Sequence, residues 1–487
     1  MLFLQRHQFQ ADAESTGEIF SFYAEPYICL DCVDTLLREA WTVAIETLSW
    51  MQMRRLSEPS ALAITVKQLG MRDPDAVRLA RLLVAETVRR QNFIDAFVNN
   101  AIKPADLGQF NLGVQAFLRL YVYQTRVSKR WSEIDVEEAE NVIKLARSIL
   151  GWKTLQPIEP ILGVLLTQRP EVVFEQKNDE ARVALWTFHQ PWFVGYCFRL
   201  LGRGDAIAML ESNRSPLPTY VRLNTLNCER EGILKRLGEE GVEVEKVKGL
   251  MFAYQVRNVK QLITETACFK EGLVYIQDKA SSFAAEAANP SPKMTVLDIC
   301  SAPGGKTTYM GQLMQNDGHI LSIDYSGRRM VSWKSEVDRM GVKIAQPIIA
   351  DARSPLPLDV EADLVVLDPP CTGTGNFNRL PSFKWRLTPS SVDRMAAIQW
   401  EMLNNCSDYV KSEGVLVYST FSITVEENEM LIERFLKWHP EFSLGEMLPR
   451  IGGGGLRGLG KCQRLYPHVH QCSGLFIAKL VKNKECA

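Results

Sequence analysis

The spacing of apolar positions divides the chain into a helical first part and a second part in which strands alternate with helices. In the first two hundred residues, apolar side chains recur at helical spacing, as between Ala80 and Val88. Residues 137–150 predict another helix that ends at Gly151. The apolar stretch 183–201 predicts two helices, because Pro191 interrupts it.

After residue 218 the pattern changes to short apolar strands. Residues 220–223, 242–247 and 273–277 predict strands, with a helix over 229–237. From Met294 onward, strands at 295–299, 319–323, 363–367, 415–419 and 475–480 alternate with helices near 306, 328–340, 389–411 and 425–438. Strands separated by helices of about 10–20 residues are typical of a parallel, doubly wound α/β sheet. We therefore predict an all-α domain (1–212), a small α+β domain (213–288) and an α/β domain with a mostly parallel sheet (289–487).

Composition narrows the class of protein. The chain is 46% hydrophobic and 23% charged, which excludes wholesale disorder. Its 56 Lys and Arg are balanced by 57 Asp and Glu, so a uniformly basic binder is excluded while a local basic groove is not. Residues 1–12 lack the apolar segment of a signal peptide, and no apolar run reaches membrane-spanning length. We expect a cytoplasmic protein with reduced thiols and no membrane association.

A loop with two consecutive glycines follows the strand 295–299. Gly304 and Gly305 let the backbone approach a ligand closely, and the helix that starts near Lys306 presents free N–H groups. A phosphate-binding Walker A loop is disfavoured, because Cys300 occupies the position of its first glycine. A generic strand-to-helix turn is the alternative.

Acidic residues follow the next strands. Asp324 ends the second strand, at a distance from the loop that suits hydrogen bonds to two ribose hydroxyls. Asp351 follows the apolar residues 348–350 and is placed to reach an adenine amino group. Either acid alone is more often a solvated cap, but several on one sheet edge favour a ligand site.

A cysteine follows the apolar strand 363–367. Cys371 lies on a loop with Asp368 and two prolines, where a ligand-facing cysteine is more expected than a structural one. The cluster formed by Arg379, Lys384, Trp385 and Arg386 suits phosphates and stacked bases, although plain surface is an equal alternative for this cluster.

These blocks together resemble one family. Cys-Ser-Ala-Pro-Gly-Gly-Lys (300–306), Asp-Pro-Pro-Cys-Thr-Gly-Thr-Gly (368–375), Phe-Lys-Trp-Arg (383–386) and residues 418–429 are similar to the Sun/Fmu/NOL (RsmB/NSUN-type) RNA cytosine-5 methyltransferases. The resemblance extends from about residue 218 to 480. The helical leader resembles, more weakly, the NusB-like RNA-binding domain of some bacterial members.

The resemblance implies a Rossmann-like core, S-adenosylmethionine as cofactor and RNA (rRNA or tRNA) as partner, and the leader favours rRNA. The implied cofactor-binding residues are Cys300, Ser301, Ala302, Pro303, Gly304, Gly305, Lys306, Asp324, Arg329, Asp351 and Asp368. Asp368 also faces the cytosine. The expected RNA-binding residues are Arg222, Asn224, Arg379, Lys384 and Arg386. We expect a monomer. Near the C-terminus, Cys462, His468, His470 and Cys472 form a cluster of metal-ligand types, but the family has a stretch similar to 464–470 that binds no metal, so we expect none.

One position departs from the family pattern. Members carry a nucleophilic cysteine in a Ser-Thr-Cys-Ser block, and here that position is Phe421. Cytosine C5 is a poor nucleophile, so a thiolate must first add to C6, and phenylalanine cannot do this. Either Cys371 is the nucleophile, or the protein is a catalytically silent RNA-binding paralogue. A third hypothesis treats Phe421 as an introduced or strain-specific substitution.

Overall fold

A computed structural model describes residues 30–129, 131 and 134–484, with side chains from residue 35 onward. The sequence argument on residues 1–12 therefore lies outside the described residues. The chain forms two compact units. The first comprises the part before residue 208 together with Leu380–Trp385, and the second comprises Ala208–Arg379 and the part from Arg386 onward.

The described part of the first unit consists of α-helices around one apolar core that includes Phe97, Phe117 and Tyr121. The predicted break at Pro191 is confirmed, because one helix ends at Thr187 and the next begins at that proline. The helices are Leu30–Arg54, Glu58–Leu69, Pro74–Arg89, Gln91–Ala101, Leu112–Val122, Val136–Leu150, Trp152–Leu155, Glu159–Thr167, Asp179–Thr187, Pro191–Leu201 and Arg203–Ser212. The first segment of this unit ends within the last of these helices, at Ile207, and Leu380–Trp385 forms its second segment.

The second unit begins with an antiparallel sheet of four strands in the order β2-β3-β1-β4. The strands are β1 Tyr220–Leu223, β2 Val242–Lys246, β3 Ala253–Val259 and β4 Val274–Ile276. Helices Arg230–Glu239, Ala267–Lys270 and Lys279–Ala288 accompany them. Strand β3 and the helices Ala267–Lys270 and Lys279–Ala288 were not predicted from the sequence.

The second sheet has the predicted α/β fold. Strands β9-β8-β5-β6-β7 run parallel, and β13 pairs antiparallel with β9. The strands are β5 Thr295–Ile299, β6 His319–Asp324, β7 Ala345–Ile349, β8 Ala362–Leu367, β9 Val410–Thr420, β10 Phe442–Leu444, β11 Gly453–Gly454, β12 Gln463–Leu465 and β13 Leu475–Lys482. The helices are Gly305–Leu313, Gly327–Arg339, Phe383–Arg386, Pro389–Ser407, Glu429–Trp438 and Pro467–His470.

Two predicted helices are shorter in the structure. The helix from Pro389 ends at Ser407 because β9 begins at Val410, and this strand is longer than predicted. The helix predicted from residue 425 begins at Glu429, because Asn428 has a non-helical backbone (φ −120°, ψ −102°). Residues 425–428 instead form a turn that buries the side chain of Glu427.

The two sheets share a hydrophobic core. Tyr220 of β1 and Ala253 of β3 belong to the same buried cluster as Val296 of β5 and Val366 of β8. The predicted boundary at residues 288/289 therefore separates two sheets within one compact unit. Among the described residues, no helix is long and apolar enough to cross a membrane.

Candidate active site

The glycine loop lies between β5 and the helix Gly305–Leu313. The Ser301 N–H donates to the Ile323 carbonyl at 3.0 Å, which ties the loop to the neighbouring strand β6. Gly304 has φ 106°, and a Cβ there would lie 3.3 Å from the Trp333 ring, so both conformation and space favour glycine. No side chain caps the helix that follows. Its first N–H groups therefore remain suited to a carboxylate or another anionic ligand group.

Two carboxylates lie at the ends of β6 and β7. Asp324 accepts hydrogen bonds from the N–H groups of Ala302 (3.3 Å) and Ser326 (3.0 Å), and it pairs with Arg329 at 2.9 Å. Arg329 also donates to the Ala302 carbonyl. The structure thus brings Arg329, predicted only from the resemblance, onto the glycine loop.

Asp351 is more exposed than Asp324. It pairs with Arg353 at 2.6 Å, and hydrogen bonds from the Arg353 side chain and backbone lower the pKa of the Asp351 carboxyl. The Ala350 N–H donates to the Asp324 carbonyl oxygen at 3.2 Å. The two predicted acids therefore end adjacent strands, on the same edge as the glycine loop.

A third carboxyl behind the loop was missed by the sequence argument. Asp298 is 1% exposed, and burial raises its pKa to about 7. The Thr307 hydroxyl donates to Asp298 and accepts from the Trp333 indole N–H at 3.0 Å. This chain of hydrogen bonds joins β5 to the helices Gly305–Leu313 and Gly327–Arg339. The alternation of apolar residues around position 298 was the available signal, since it places Asp298 inside a buried strand.

Asp368 follows β8 and contacts two neighbouring elements. It forms an ion pair with Lys306 of the glycine loop, and the Ser419 hydroxyl of β9 lies 3.5 Å from it. The Lys306 ammonium also lies 5.7 Å from the centroid of the Phe421 ring, within the range of a cation–π contact. Lys306 therefore connects the glycine loop to the two loops that carry Asp368 and Phe421.

Cys371 lies beside position 421. Cys371 is partly exposed as a residue, and the backbone N–H groups of Gly373 and Phe421 act to lower the pKa of its thiol. Burial, followed by the charges of Glu427 and Asp368, raises the pKa of the Cys371 thiol. The nearby cation, Lys306, is paired with Asp368 and is not among the main charges that act on this thiol.

Cys300, the other cysteine of this edge, has the left-handed backbone conformation with φ 64°. Burial, then the charges of Asp368 and Asp324, raise the pKa of its thiol well above the usual value. Cys300 directly follows β5 and therefore belongs to the glycine loop, not to the loop after β8 that carries Asp368.

Two of the expected RNA-binding residues are buried supports of the fold, so their prediction as phosphate contacts is wrong. Arg222 is 0% exposed and donates to the Gly305 carbonyl (3.2 Å) and the Thr308 hydroxyl (2.9 Å). Burial lowers the pKa of Arg222 to about 10. The Asn224 amide donates to the carbonyls of Gly272 and Met340, each at 2.8 Å. Both residues therefore join the small sheet to the helices of the larger one.

Lys384 is also buried, which contradicts its prediction as an RNA-binding residue. It is 2% exposed within the helical unit, where its ammonium lies 3.4 Å from the Arg89 carbonyl. Burial and the charges of Arg89 and Arg90 lower the pKa of Lys384 well below its usual value. Trp385 donates to the Val88 carbonyl at 2.7 Å. The segment thus packs like a core element, because both side chains find partners among the helices.

The remaining basic candidates are exposed. Arg379 pairs with Asp278 at 2.8 Å, and Arg386 follows the buried segment. In the cluster near the C-terminus, Cys462 and Cys472 are buried, while His470 accepts a hydrogen bond from the Tyr466 N–H at 2.9 Å. These contacts fit a structural role for the cluster.

Comparison with known proteins agrees with this geometry. The family model for the 16S rRNA methyltransferase RsmB/F matches residues 285–481. A probable ribosomal RNA small subunit methyltransferase B of Bacillus subtilis is 30% identical over 451 residues, or 90% of this chain and 98% of the relative. The 25S rRNA (cytosine-C(5))-methyltransferase nop2 of Schizosaccharomyces pombe is 33% identical over 330 residues, or 64% of this chain and 54% of the relative.

A solved structure matches nearly the whole fold. The crystal structure of PH0851 superimposes with a TM-score of 0.76 at 27% identity, covering 91% of this chain and 99% of that chain. The similarity therefore includes the helical leader as well as the two sheets.

Proposed function

Because the chain belongs to the RsmB/F family of 16S rRNA methyltransferases, we propose that it methylates C5 of a cytosine in ribosomal RNA, with Cys371 as the nucleophile. The names of the relatives support the reaction and the RNA class. The alternative of a catalytically silent paralogue finds no support among them. We place the reaction in the cytoplasm and expect the protein to act as a monomer.

The donor set at the ends of β5, β6 and β7 fits S-adenosylmethionine, which supplies a methyl group on a sulfonium. Asp324 offers a carboxylate to the ribose hydroxyls, and Asp351 offers one to the adenine amino group. The uncapped N-terminus at Gly305 suits the carboxylate of the methionine part. Loop residues 300–306 then enclose the methionine part, with Arg329 bracing the loop through Ala302.

Covalent activation of the base is assigned to Cys371. Its thiolate adds to C6 and forms an S–C6 bond, which shifts electron density toward C5 and negative charge toward N3 and O2 of the ring. C5 then attacks the methyl group of the sulfonium, whose S–CH3 bond breaks to leave a neutral thioether. Water takes the proton from C5, and the S–C6 bond breaks to release the thiolate of Cys371. The cytosine must be turned out of its stack to reach this loop.

The Lys306–Asp368 pair is suited to the charge that develops on the ring. The Lys306 ammonium supplies a positive charge and proton donors at the edge where Asp368 faces the base. Phe421 contacts the Lys306 ammonium through its ring and offers no thiolate that could pair with it. The ammonium therefore keeps Asp368 as its partner.

The observation that carries this proposal is the placement of Cys371, a partly exposed residue whose thiol is influenced by the charges of Asp368 and Glu427. The test is to incubate the purified protein with unmodified small-subunit rRNA and S-adenosylmethionine that carries a deuterated methyl group. Mass spectrometry of the nucleosides should show deuterated 5-methylcytosine. Its absence, with the label on no nucleoside, would refute the proposal.

A further inference from the structure

The turn before the helix Glu429–Trp438 contains a carboxylate that the reaction above does not use. Glu427 is 0% exposed, and among the described residues no Lys, Arg or His lies within ion-pair distance of it. Burying a carboxylate without a cation is costly unless hydrogen bonds replace its lost hydration. Such a group is retained where its hydrogen bonds fix a particular geometry.

The donors to Glu427 come from the two loops of the acceptor site. The Thr372 N–H donates at 2.9 Å, and the Thr372 hydroxyl donates to the other carboxylate oxygen. The hydroxyls of Ser422 (2.6 Å) and Thr424 (2.8 Å) donate from the second loop. The Gln399 amide adds a fifth donor at 2.9 Å. Thr372 directly follows Cys371, and Ser422 directly follows Phe421.

We propose that Glu427 is a positioning residue for methyl transfer, which holds the loop of Cys371 against the loop of Phe421 through Thr372 and Ser422. The proposal rests on the proposed function for its link to catalysis. Further contacts run between the same loops: the Gly375 N–H donates to the Phe421 carbonyl at 2.9 Å, and the Ile423 N–H donates to the Thr374 hydroxyl at 2.9 Å. Glu427 is the charged centre of this network.

The position of Glu427 also affects the ionisation of the Cys371 thiol. The titratable groups around Cys371 are Asp368, Glu427 and Tyr418, with Lys306 beyond Asp368. The charge of Glu427 opposes thiolate formation, while the N–H groups it holds in place favour it. Glu427 therefore fixes the geometry of the thiol and also influences the pH at which it ionises.

The experiment uses the full chain with Glu427→Gln, and Glu429→Gln as the matched control. Glu429 is also 0% exposed, but it pairs with Arg464 and does not contact the two loops. The rate of alkylation of Cys371 by iodoacetamide is followed by peptide mass spectrometry at several pH values between 7 and 9. Removing the charge of Glu427 should raise this rate by about tenfold at each pH, because the thiolate forms more readily. The control should leave the rate unchanged.

The catalytic readout is separate. Glu427→Gln should lower kcat by about tenfold or more without changing KM for S-adenosylmethionine, because the cofactor lies at the other strands. Loss of thermal stability with an unchanged alkylation profile and kcat would overturn the proposal. The alkylation profile needs no methyl transfer, so a wild type that fails to methylate refutes the proposed function and leaves the alkylation arm able to decide on Glu427.

A second variant covers the case in which Glu427→Gln does not fold. Thr372→Val removes one hydroxyl donor and keeps the backbone N–H that Glu427 binds. It should lower kcat several-fold at unchanged affinity for S-adenosylmethionine. An unchanged kcat in a folded Thr372→Val protein would contradict the positioning role.

Discussion

The two halves of the strand edge are built differently. In the cofactor half, at the ends of β5, β6 and β7, Asp324 and Asp351 are each paired with an arginine close in sequence, Arg329 or Arg353. In the acceptor half, at the ends of β8 and β9, the partner of Asp368 is Lys306, which lies in the first turn of the helix that follows the glycine loop. The central carboxylate there, Glu427, is held by hydroxyl and amide donors instead of a cation.

This difference has a chemical meaning. The cofactor half presents carboxylates whose charge is balanced by cations, which suits binding of polar hydroxyl and amino groups. The acceptor half concentrates negative charge around a thiol, and burial with Glu427 and Asp368 raises the pKa of Cys371. Binding is therefore expected to depend weakly on pH, while the chemical step depends on it strongly.

The largest predicted effect is a difference in pH dependence between methylation, which uses the acceptor half, and cofactor binding, which uses the cofactor half. Because the pKa of Cys371 is raised above the usual cysteine value, the thiolate fraction at pH 7 is small and grows as the pH rises. Single-turnover methylation should therefore increase by about tenfold per pH unit, or roughly 100-fold between pH 7 and 9. Affinity for S-adenosylmethionine, measured by calorimetry over the same range, should change little. A rate that levels off below pH 8 would contradict this assignment.

The next effect is confined to the cofactor half. Asp324→Asn keeps the size of the side chain and removes the charge that strengthens hydrogen bonds to ribose hydroxyls. Calorimetry should show Kd for S-adenosylmethionine rising by about 10- to 30-fold. Asp351→Asn, at a more exposed carboxylate, is the comparison and should have a smaller effect. Equal effects of the two changes would argue against Asp324 as the ribose ligand.

A smaller effect is expected from Phe421→Cys. The new thiol would lie near the Lys306 ammonium, which favours its thiolate, and would stand where the family pattern has its nucleophile. Methylation at pH 7 should rise by about three- to tenfold, since Cys371 is mostly protonated there. The rate is measured with the same rRNA substrate at saturating cofactor. No gain in a folded variant would mean that position 421 does not face the base.

The smallest effect concerns RNA binding and compares an exposed with a buried cation. Arg386→Ala should reduce the slope of log affinity against log salt by about 0.7–0.9, or about threefold in affinity between 50 and 200 mM salt. Lys384→Met should leave that slope unchanged, because Lys384 is 2% exposed. A reduced slope for Lys384→Met would instead support the sequence-based prediction that Lys384 binds RNA.

Features that depend on residues close in sequence could be predicted from the sequence. The helix break at Pro191 and the strand Thr295–Ile299 were predicted because spacing and proline chemistry act within a few residues. The loop 300–306 and Asp324 are similarly local. Arg222 was expected to bind RNA as a basic residue, whereas all four residues of β1 are buried.

The missed features depend on residues that are distant in sequence. The donors to Glu427 come from Thr372 and Gln399 as well as from its own turn, so no local pattern marks it as buried. Lys384 looked like a basic surface residue, and its burial depends on helices that precede it by about three hundred positions. Such contacts are set by tertiary packing, which overrides local preference.

The central claim is that Cys371 performs the covalent step in this chain, which has Phe421 at the position of the family's nucleophilic cysteine. The most direct measurement uses rRNA that carries 5-fluorocytosine, because fluorine cannot leave as a proton does and the S–C6 adduct persists. With S-adenosylmethionine present, wild type should form a denaturation-resistant complex, and peptide mass spectrometry should place the modified base on Cys371. Cys371→Ala should abolish the complex. The control is Cys228→Ala, at a partly exposed free cysteine between β1 and the helix Arg230–Glu239, and it should leave the complex intact. An adduct on another residue, or none in a protein that makes 5-methylcytosine, would contradict the account.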